Sequence, residues 1–253
     1  MLEFYRISVY NLTMKSLLVK FCLILLKPII LIKKITIIYT WPSSIIRPTT
    51  IDFVRNRALE SSAQYIEQNI NKAMLFSDRK QLWSYAISKV NLSGIYAEFG
   101  VSFGKSMKHF SNVVSKGVII HGFDSFEGLR EDFIGTNWVT GAFTTSGKIP
   151  YFEPNVNLHV GWFHETLPNF LESYSEDFAF IHLDADTYES TYLVLNLLKN
   201  RIKSGTIIVF DEYIGIPNWK NGEHKAWTEF MQETNKAYEY LAFSDQAAVV
   251  KVL

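Results

Sequence analysis

FAFIHLDADTYEST, residues 178–191, decides the architecture. Residues 178–183 form a short, nearly all-apolar run, the mark of a strand buried on both faces of a parallel sheet. The run stops at Asp184-Ala185-Asp186, and a helical pattern with a Ser190/Thr191 start signal follows. Carboxylates at the end of a buried strand lie where open α/β sheets bind ligands. Asp211-Glu212 closes the next apolar run, GTIIVF, in the same way. If the two strands are neighbours, three or four carboxyl groups share one small volume. Their mutual repulsion then calls for a cation or a proton.

Outward from this stretch, the chain alternates strand and helix. Apolar runs fall at 95–99, 118–123, 156–160, 178–183 and 206–210, with helical patterns at 105–115, 164–173, 190–202 and 223–235. Two closing runs, 238–243 and 247–253, are separated only by Ser244-Asp245-Gln246 and read as an antiparallel hairpin. The expected fold is α/β: a doubly wound, seven-stranded, mostly parallel sheet with an antiparallel C-terminal hairpin, preceded by N-terminal helices. Three segments follow. Residues 1–50 are an apolar and basic extension ending in a Pro-, Ser- and Thr-rich linker. Residues 51–93 are a helical lead-in, and 94–253 form the main domain.

The extension contrasts with the rest. Residues 17–39 are rich in Leu and Ile but carry Lys20, Lys27, Pro28, Lys33 and Lys34. A spanning helix wants about 20 apolar residues with few charges, so this is not one. Lysines 20, 27 and 34 recur every seven residues, which suits peripheral contact with an anionic membrane surface. Packing on the domain or on a second subunit is the alternative. With 25 basic and 25 acidic residues the chain gives no general reason to expect a nucleic-acid partner. Cys22 is the single cysteine, so no internal disulfide is available and a cytoplasmic location, at the inner face of the membrane if the extension docks there, is expected.

The first strand of the domain runs into Glu98-Phe99-Gly100-Val101-Ser102-Phe103-Gly104. Glycines there let the chain turn sharply and let a ligand approach a helix N-terminus. Ser102 holds the middle position of the dinucleotide fingerprint G-x-G-x-x-G, which weakens that reading. The next strand ends at Asp124, before Ser125 and Phe126, where an acid can bond a ribose diol. A turn needing glycine only for packing is the competing explanation for the glycines alone.

Taken together, these residues resemble class I S-adenosylmethionine-dependent methyltransferases. GFDSFEGL, GWFHETLP, FIHLDADTYEST, IVFDEY and GEHKAWTEF, in that order, resemble the macrocin-type sugar O-methyltransferases and their bacterial relatives over 94–253. The resemblance implies a cofactor site of Glu98, Gly100, Ser102, Gly104, Asp124, Ser125 and Phe126, with Gly161 and Trp162 beside the adenine. It implies a divalent ion, magnesium or manganese, on Asp184, Asp211 and Glu212, and Asp186 as general base. The family has aspartate at the second position of the 211–212 pair. Glu212 is longer by one methylene, so direct, water-mediated or no ligation are all open. Family members are often dimers or larger, so a homo-oligomer is compatible.

The chemistry suits the residues. A sugar hydroxyl is a poor nucleophile at neutral pH, and an oxygen-ligated cation stabilises the developing alkoxide while a carboxylate takes the proton. Helix capping by Asp186 alone would leave Asp184 and the second acidic pair unexplained. His182, two residues before Asp184, faces the same side of its strand as a supporting or structural histidine. His224, in the segment after Asp211-Glu212, is a candidate catalytic group for substrate or metal, equally readable as structural. Histidines 109, 121, 159 and 164 read as structural or surface groups. The long connection 127–155 and residues 213–220 are expected to wall the acceptor site. Two rivals remain: a metal-dependent glycosyltransferase using Asp184-Ala185-Asp186, and a non-catalytic, membrane-attached binding protein.

Overall fold

The computed structural model describes residues 48–253. Residues 53–253 form one compact unit that holds the helical lead-in together with the sheet. Membrane contact through 17–39 lies outside the described residues. Among the described residues no helix is long and apolar enough to cross a membrane.

Six helices and eight strands are described. In chain order they are α1 (Thr50–Asn69), β1 (Met74–Leu75), α2 (Arg79–Ser88), β2 (Ile95–Phe99), α3 (Lys105–Val113), β3 (Ile120–Asp124), β4 (Val156–Val160) and α4 (Phe163–Ser173). There follow β5 (Phe178–Leu183), α5 (Tyr188–Leu198), β6 (Ile202–Phe210), α6 (Glu223–Thr234), β7 (Tyr238–Phe243) and β8 (Ala248–Val252). The sheet order is β1-β7-β8-β6-β5-β2-β3-β4. Strand β8 runs antiparallel to both β6 and β7, and every other pairing is parallel. The sheet is therefore eight-stranded rather than seven-stranded. The added strand is a two-residue parallel edge pairing of Met74 and Leu75 with Ala242 and Phe243. Two exposed residues carry no alternation for a sequence pattern to register.

Alternating side chains of the central strands feed two separate cores. Ile181, Leu183, Ile208 and Phe210 pack with Leu167, Phe170, Val194, Leu198 and Trp227 on the face covered by α4, α5 and α6. Phe180, Ile207 and Val209 pack with Leu82, Trp83, Met107 and Phe110 on the face covered by α2 and α3. Period-two alternation serving two helical layers is what makes these strands nearly all apolar.

Two boundaries moved. Helix α5 starts at Tyr188, because the Thr187 hydroxyl accepts from Ser190 N–H and is the cap, ahead of the expected Ser190/Thr191 start. Strand β6 begins at Ile202, the residue expected to end the preceding helix, rather than at Thr206.

Candidate active site

The C-terminal strand ends build the site. Asp184 N–H donates to Phe99 O at 2.9 Å, and Asp211 N–H donates to Leu183 O at 3.0 Å. The ladders of β2, β5 and β6 thus continue one residue past the strands and set Asp184 beside Asp211. A Cβ on Gly100 would stand 1.7 Å from the Asp184 carbonyl oxygen, and Gly100 has φ +92°. Only glycine admits this approach of the β2 exit to the acidic strand end.

A cavity of about 280 Å³ lies over these ends. Its wall includes Gly100, Ser102, Asp124, Ser125, Gly161 and Trp162 from the expected cofactor set, and Asp184, Asp186 and Glu212 from the acids. Asp124 shapes the wall from within. Its Oδ2 accepts from Val101 and Ser102 N–H at 2.7 Å each, and its Oδ1 accepts from Phe126 N–H at 2.6 Å. Ser102 adopts φ +45°, so the middle fingerprint position keeps a left-handed backbone without glycine. Its hydroxyl donates to Phe143 O at 3.2 Å and ties this turn to the long connection.

Three expected cofactor residues lie elsewhere. Phe126 is buried in the core and Gly104 caps α3 beneath the Phe152 ring. Glu98 is fully buried, directly across the β2–β5 ladder from His182, whose Nδ1 lies 2.9 Å from Glu98 Oε1. His182 Nε2 lies 3.6 Å from Asp211 Oδ1, too long for a hydrogen bond but an ion-pair distance. Burial alone would lower the His182 pKa, but the Asp211 and Glu98 carboxylates outweigh it and hold it up at about 10. Its two flanking carboxylates favour the protonated imidazole.

Asp184, Asp211 and Glu212 each place a carboxylate oxygen within 4.8 Å of the others. Asp211 Oδ1 and Glu212 Oε2 are buried without a hydrogen-bond donor. An all-oxygen set with orphaned acceptors fits a hard divalent cation such as magnesium or manganese. A second grouping, Glu98, His182 and Asp184, already spends one His182 nitrogen on Glu98. Burial and the neighbouring Asp211 carboxylate raise Asp184 and Glu212 well above ordinary values. Asp186 is pushed up to about 7 by burial, then by Asp211 and Asp124. Its backbone is left-handed at φ +61°, a strained conformation for aspartate that aims this one side chain apart from its neighbours.

A second cavity of about 360 Å³ adjoins the first. Phe133 and Ile134 of the long connection face Pro217, Asn218, Trp219 and Asn221 across it, with Tyr188 and Lys225. The two walls touch: a Cβ on Gly135 would stand 2.3 Å from Pro217 O, and Asn218 Nδ2 donates to Ile134 O at 3.2 Å. Asp186 and Glu212 line both cavities.

His224 reaches neither cavity. Its ring sits among Tyr65, Tyr213 and Trp219, with centroids 5.0, 5.0 and 4.9 Å away, and burial lowers its pKa to about 4. This aromatic packing favours the structural of the two readings of His224. Its neighbour Glu223 faces the site instead. Fully buried, Glu223 accepts from Glu212 N–H at 3.0 Å, and burial pushes it up to about 8. Arg79 was also not expected: its Nη1 donates to Asp211 Oδ2 at 2.5 Å. Position 223 was visible only as an acid inside GEHKAWTEF, and nothing in sequence marks Arg79.

The strand order, with its single antiparallel strand, and the cavity over the parallel strand ends are those of a Rossmann-like fold of the kind methyltransferases adopt. Residues 97–213 match a family model described as a methyltransferase domain. Among solved structures it is similar to CalS11, described as a calicheamicin methyltransferase, at 20% identity and TM-score 0.58 over 81% of this chain and 94% of that one. The O-methyltransferase NovP aligns at 20% identity and TM-score 0.54, over 68% of this chain and 78% of that one. A further CalS11 structure, described as a TDP-rhamnose 3'-O-methyltransferase, aligns at 20% identity and TM-score 0.50 over 81% of this chain and 96% of that one. No curated protein sequence matches the chain significantly.

Proposed function

We propose that this protein transfers a methyl group from S-adenosylmethionine to a hydroxyl of a sugar or glycan-like small molecule, with a divalent cation held by Asp184, Asp211 and Glu212. The observation that carries the proposal is the pair of adjoining cavities that share Asp186 and Glu212. One has the glycine turn, Asp124 and Gly161-Trp162 for a nucleoside. The other has Tyr188, Trp219 and Phe133 for stacking on a sugar ring and Asn218, Asn221 and Asp132 for its hydroxyls. The names of the similar proteins, a TDP-rhamnose 3'-O-methyltransferase among them, support this acceptor class.

When bound, the cofactor supplies an electrophilic sulfonium methyl and the cation stabilises a developing alkoxide. The rest falls to the protein. Asp186, at the junction of the cavities and with a pKa near neutrality, accepts the hydroxyl proton on its carboxylate. Glu223 fixes the Glu212 backbone, and His182 holds positive charge beneath Asp211. The connection 127–155 lines both cavities, through Leu129, Arg130 and Phe143 in one and Phe133 and Ile134 in the other, and restricts water there. No observation at the site favours the glycosyltransferase alternative.

The test is calorimetric titration with S-adenosylmethionine and S-adenosylhomocysteine, followed by methyl transfer to a panel of sugars and nucleotide sugars with and without chelator. Micromolar cofactor binding and chelator-sensitive transfer are expected. Full activity after exhaustive metal removal would sink the cation's role, and absent cofactor binding would sink the whole reading.

A further inference from the structure

Arg79 stands at the acid cluster but comes from the helical lead-in, ahead of the matched residues 97–213. It is the first residue of α2, where the helix dipole disfavours a cation. What holds it is the cluster. Nη1 donates to Asp211 Oδ2 at 2.5 Å and lies 3.9 Å from Glu212 Oε1. Nη2 donates to Gln246 Oε1 at 2.8 Å, in the turn between β7 and β8. The Arg79 side chain is 33% exposed where that of Asp211 is 5% exposed. The guanidinium therefore covers Asp211 from a partly exposed position that is on the wall of neither cavity.

We propose that Arg79 is the resident counter-ion of the metal site, a positioning residue that holds Asp211 in the ion-free protein and opposes the incoming ion. The inference rests on the proposed cation site of Asp184, Asp211 and Glu212. Two of those three acids lie within 4 Å of the guanidinium. A divalent cation on them must displace Arg79 from Asp211 Oδ2 or bind beside a fixed positive charge, and either route weakens its binding. Gln246 keeps a hold on Nη2 while Nη1 yields.

The experiment uses the full chain, stripped of metal, as wild type, Arg79→Gln and Arg79→Lys. It measures Mn²⁺ affinity by calorimetry and ion-free melting by scanning calorimetry, with S-adenosylhomocysteine binding as a control. Arg79→Gln keeps a hydrogen-bond donor and removes the charge. It is expected to melt lower without metal yet bind Mn²⁺ about tenfold more tightly. Arg79→Lys keeps the charge and should stay within about threefold of wild type. Damage to the fold would weaken both properties together, so opposite movements distinguish a counter-ion from a structural prop. Unchanged or weaker Mn²⁺ binding by Arg79→Gln overturns the inference. Should that variant not fold, Gln246→Ala carries the test. Freeing the guanidinium is expected to tighten Mn²⁺ by about threefold, and unchanged affinity again overturns the inference. A wild type that binds S-adenosylhomocysteine but no Mn²⁺ removes the site itself, a failure separate from that of Arg79.

Discussion

At the scale of the residue, Asp186 differs from the acids around it by its backbone. Asp184 and Asp211 continue strand ladders, whereas Asp186 turns through φ +61° and lines both cavities. Asp186→Asn keeps the shape and removes the base, so methyl transfer should fall by about 10²–10⁴ with cofactor affinity nearly unchanged. Equal loss of cofactor affinity would place the residue in binding rather than proton transfer. Which carboxyls cluster was legible from the two strand-end pairs, because parallel strands must end on one sheet edge. Which residue of the Glu223-His224 pair turns inward was not. Adjacent helical positions differ by about 100°, and a short amphipathic segment does not fix that angle to one residue. Glu98 shows the same limit in a strand. Its partner is the residue across the ladder, His182, and strand register is invisible without the neighbouring strand.

At the scale of the element, the lead-in helices support the site, although their sequence names no chemistry. Helix α1 props the acceptor wall: Ser62 Oγ accepts from Gly215 N–H at 2.8 Å, and Trp219 Nε1 donates to Ser61 Oγ at 3.0 Å. The long connection is fastened on the other side. Glu131 Oε1 accepts from the Thr187 hydroxyl and from the Ser190 hydroxyl at 3.3 Å, at the start of α5. A carboxylate there also complements the helix N-terminus. Glu131→Gln removes that charge without changing size. It should raise the acceptor KM by about three- to tenfold, equivalent to about 1 kcal/mol, and leave the S-adenosylhomocysteine Kd alone. A KM that does not move would mean the connection is held by its contacts to Pro217 and Asn218 instead. Length and aromatic content exposed this segment as a wall in sequence, but its fastenings are single polar contacts with no pattern.

At the scale of the whole molecule, zero net charge conceals a buried acid cluster whose charge must be balanced locally. Asp184, Asp186, Glu212 and Glu223 all have folded pKa values raised above their unfolded ones. Raised carboxyls bind protons more tightly folded than unfolded, so their contribution is full at low pH and lost as pH rises through the folded values, about 7 for Asp186 and about 8 for Glu223. Asp211 is lowered, and its contribution is lost only on acidification. His121 and His224, each lowered to about 4, stabilise fully above about pH 6.5 and add no slope there. His182, held at about 10, loses its contribution progressively from about pH 6.5 up to that value. Between about pH 6.5 and 9 His182 and the carboxyls therefore act in the same direction. From the carboxyls alone the chelated protein should lose about 2–3 kcal/mol, roughly 4–12 °C in Tm for a chain of this size, and His182 adds to the loss. A divalent ion on the cluster favours the ionised carboxylates and reverses the sign of their response. Scanning calorimetry across this range, in chelator and in excess Mg²⁺, should show a Tm that falls steeply with pH in the first series and less steeply, or not at all, in the second. Parallel curves would mean that the ion does not bind these carboxylates, and that the positive charge of His182 and Arg79 alone balances them.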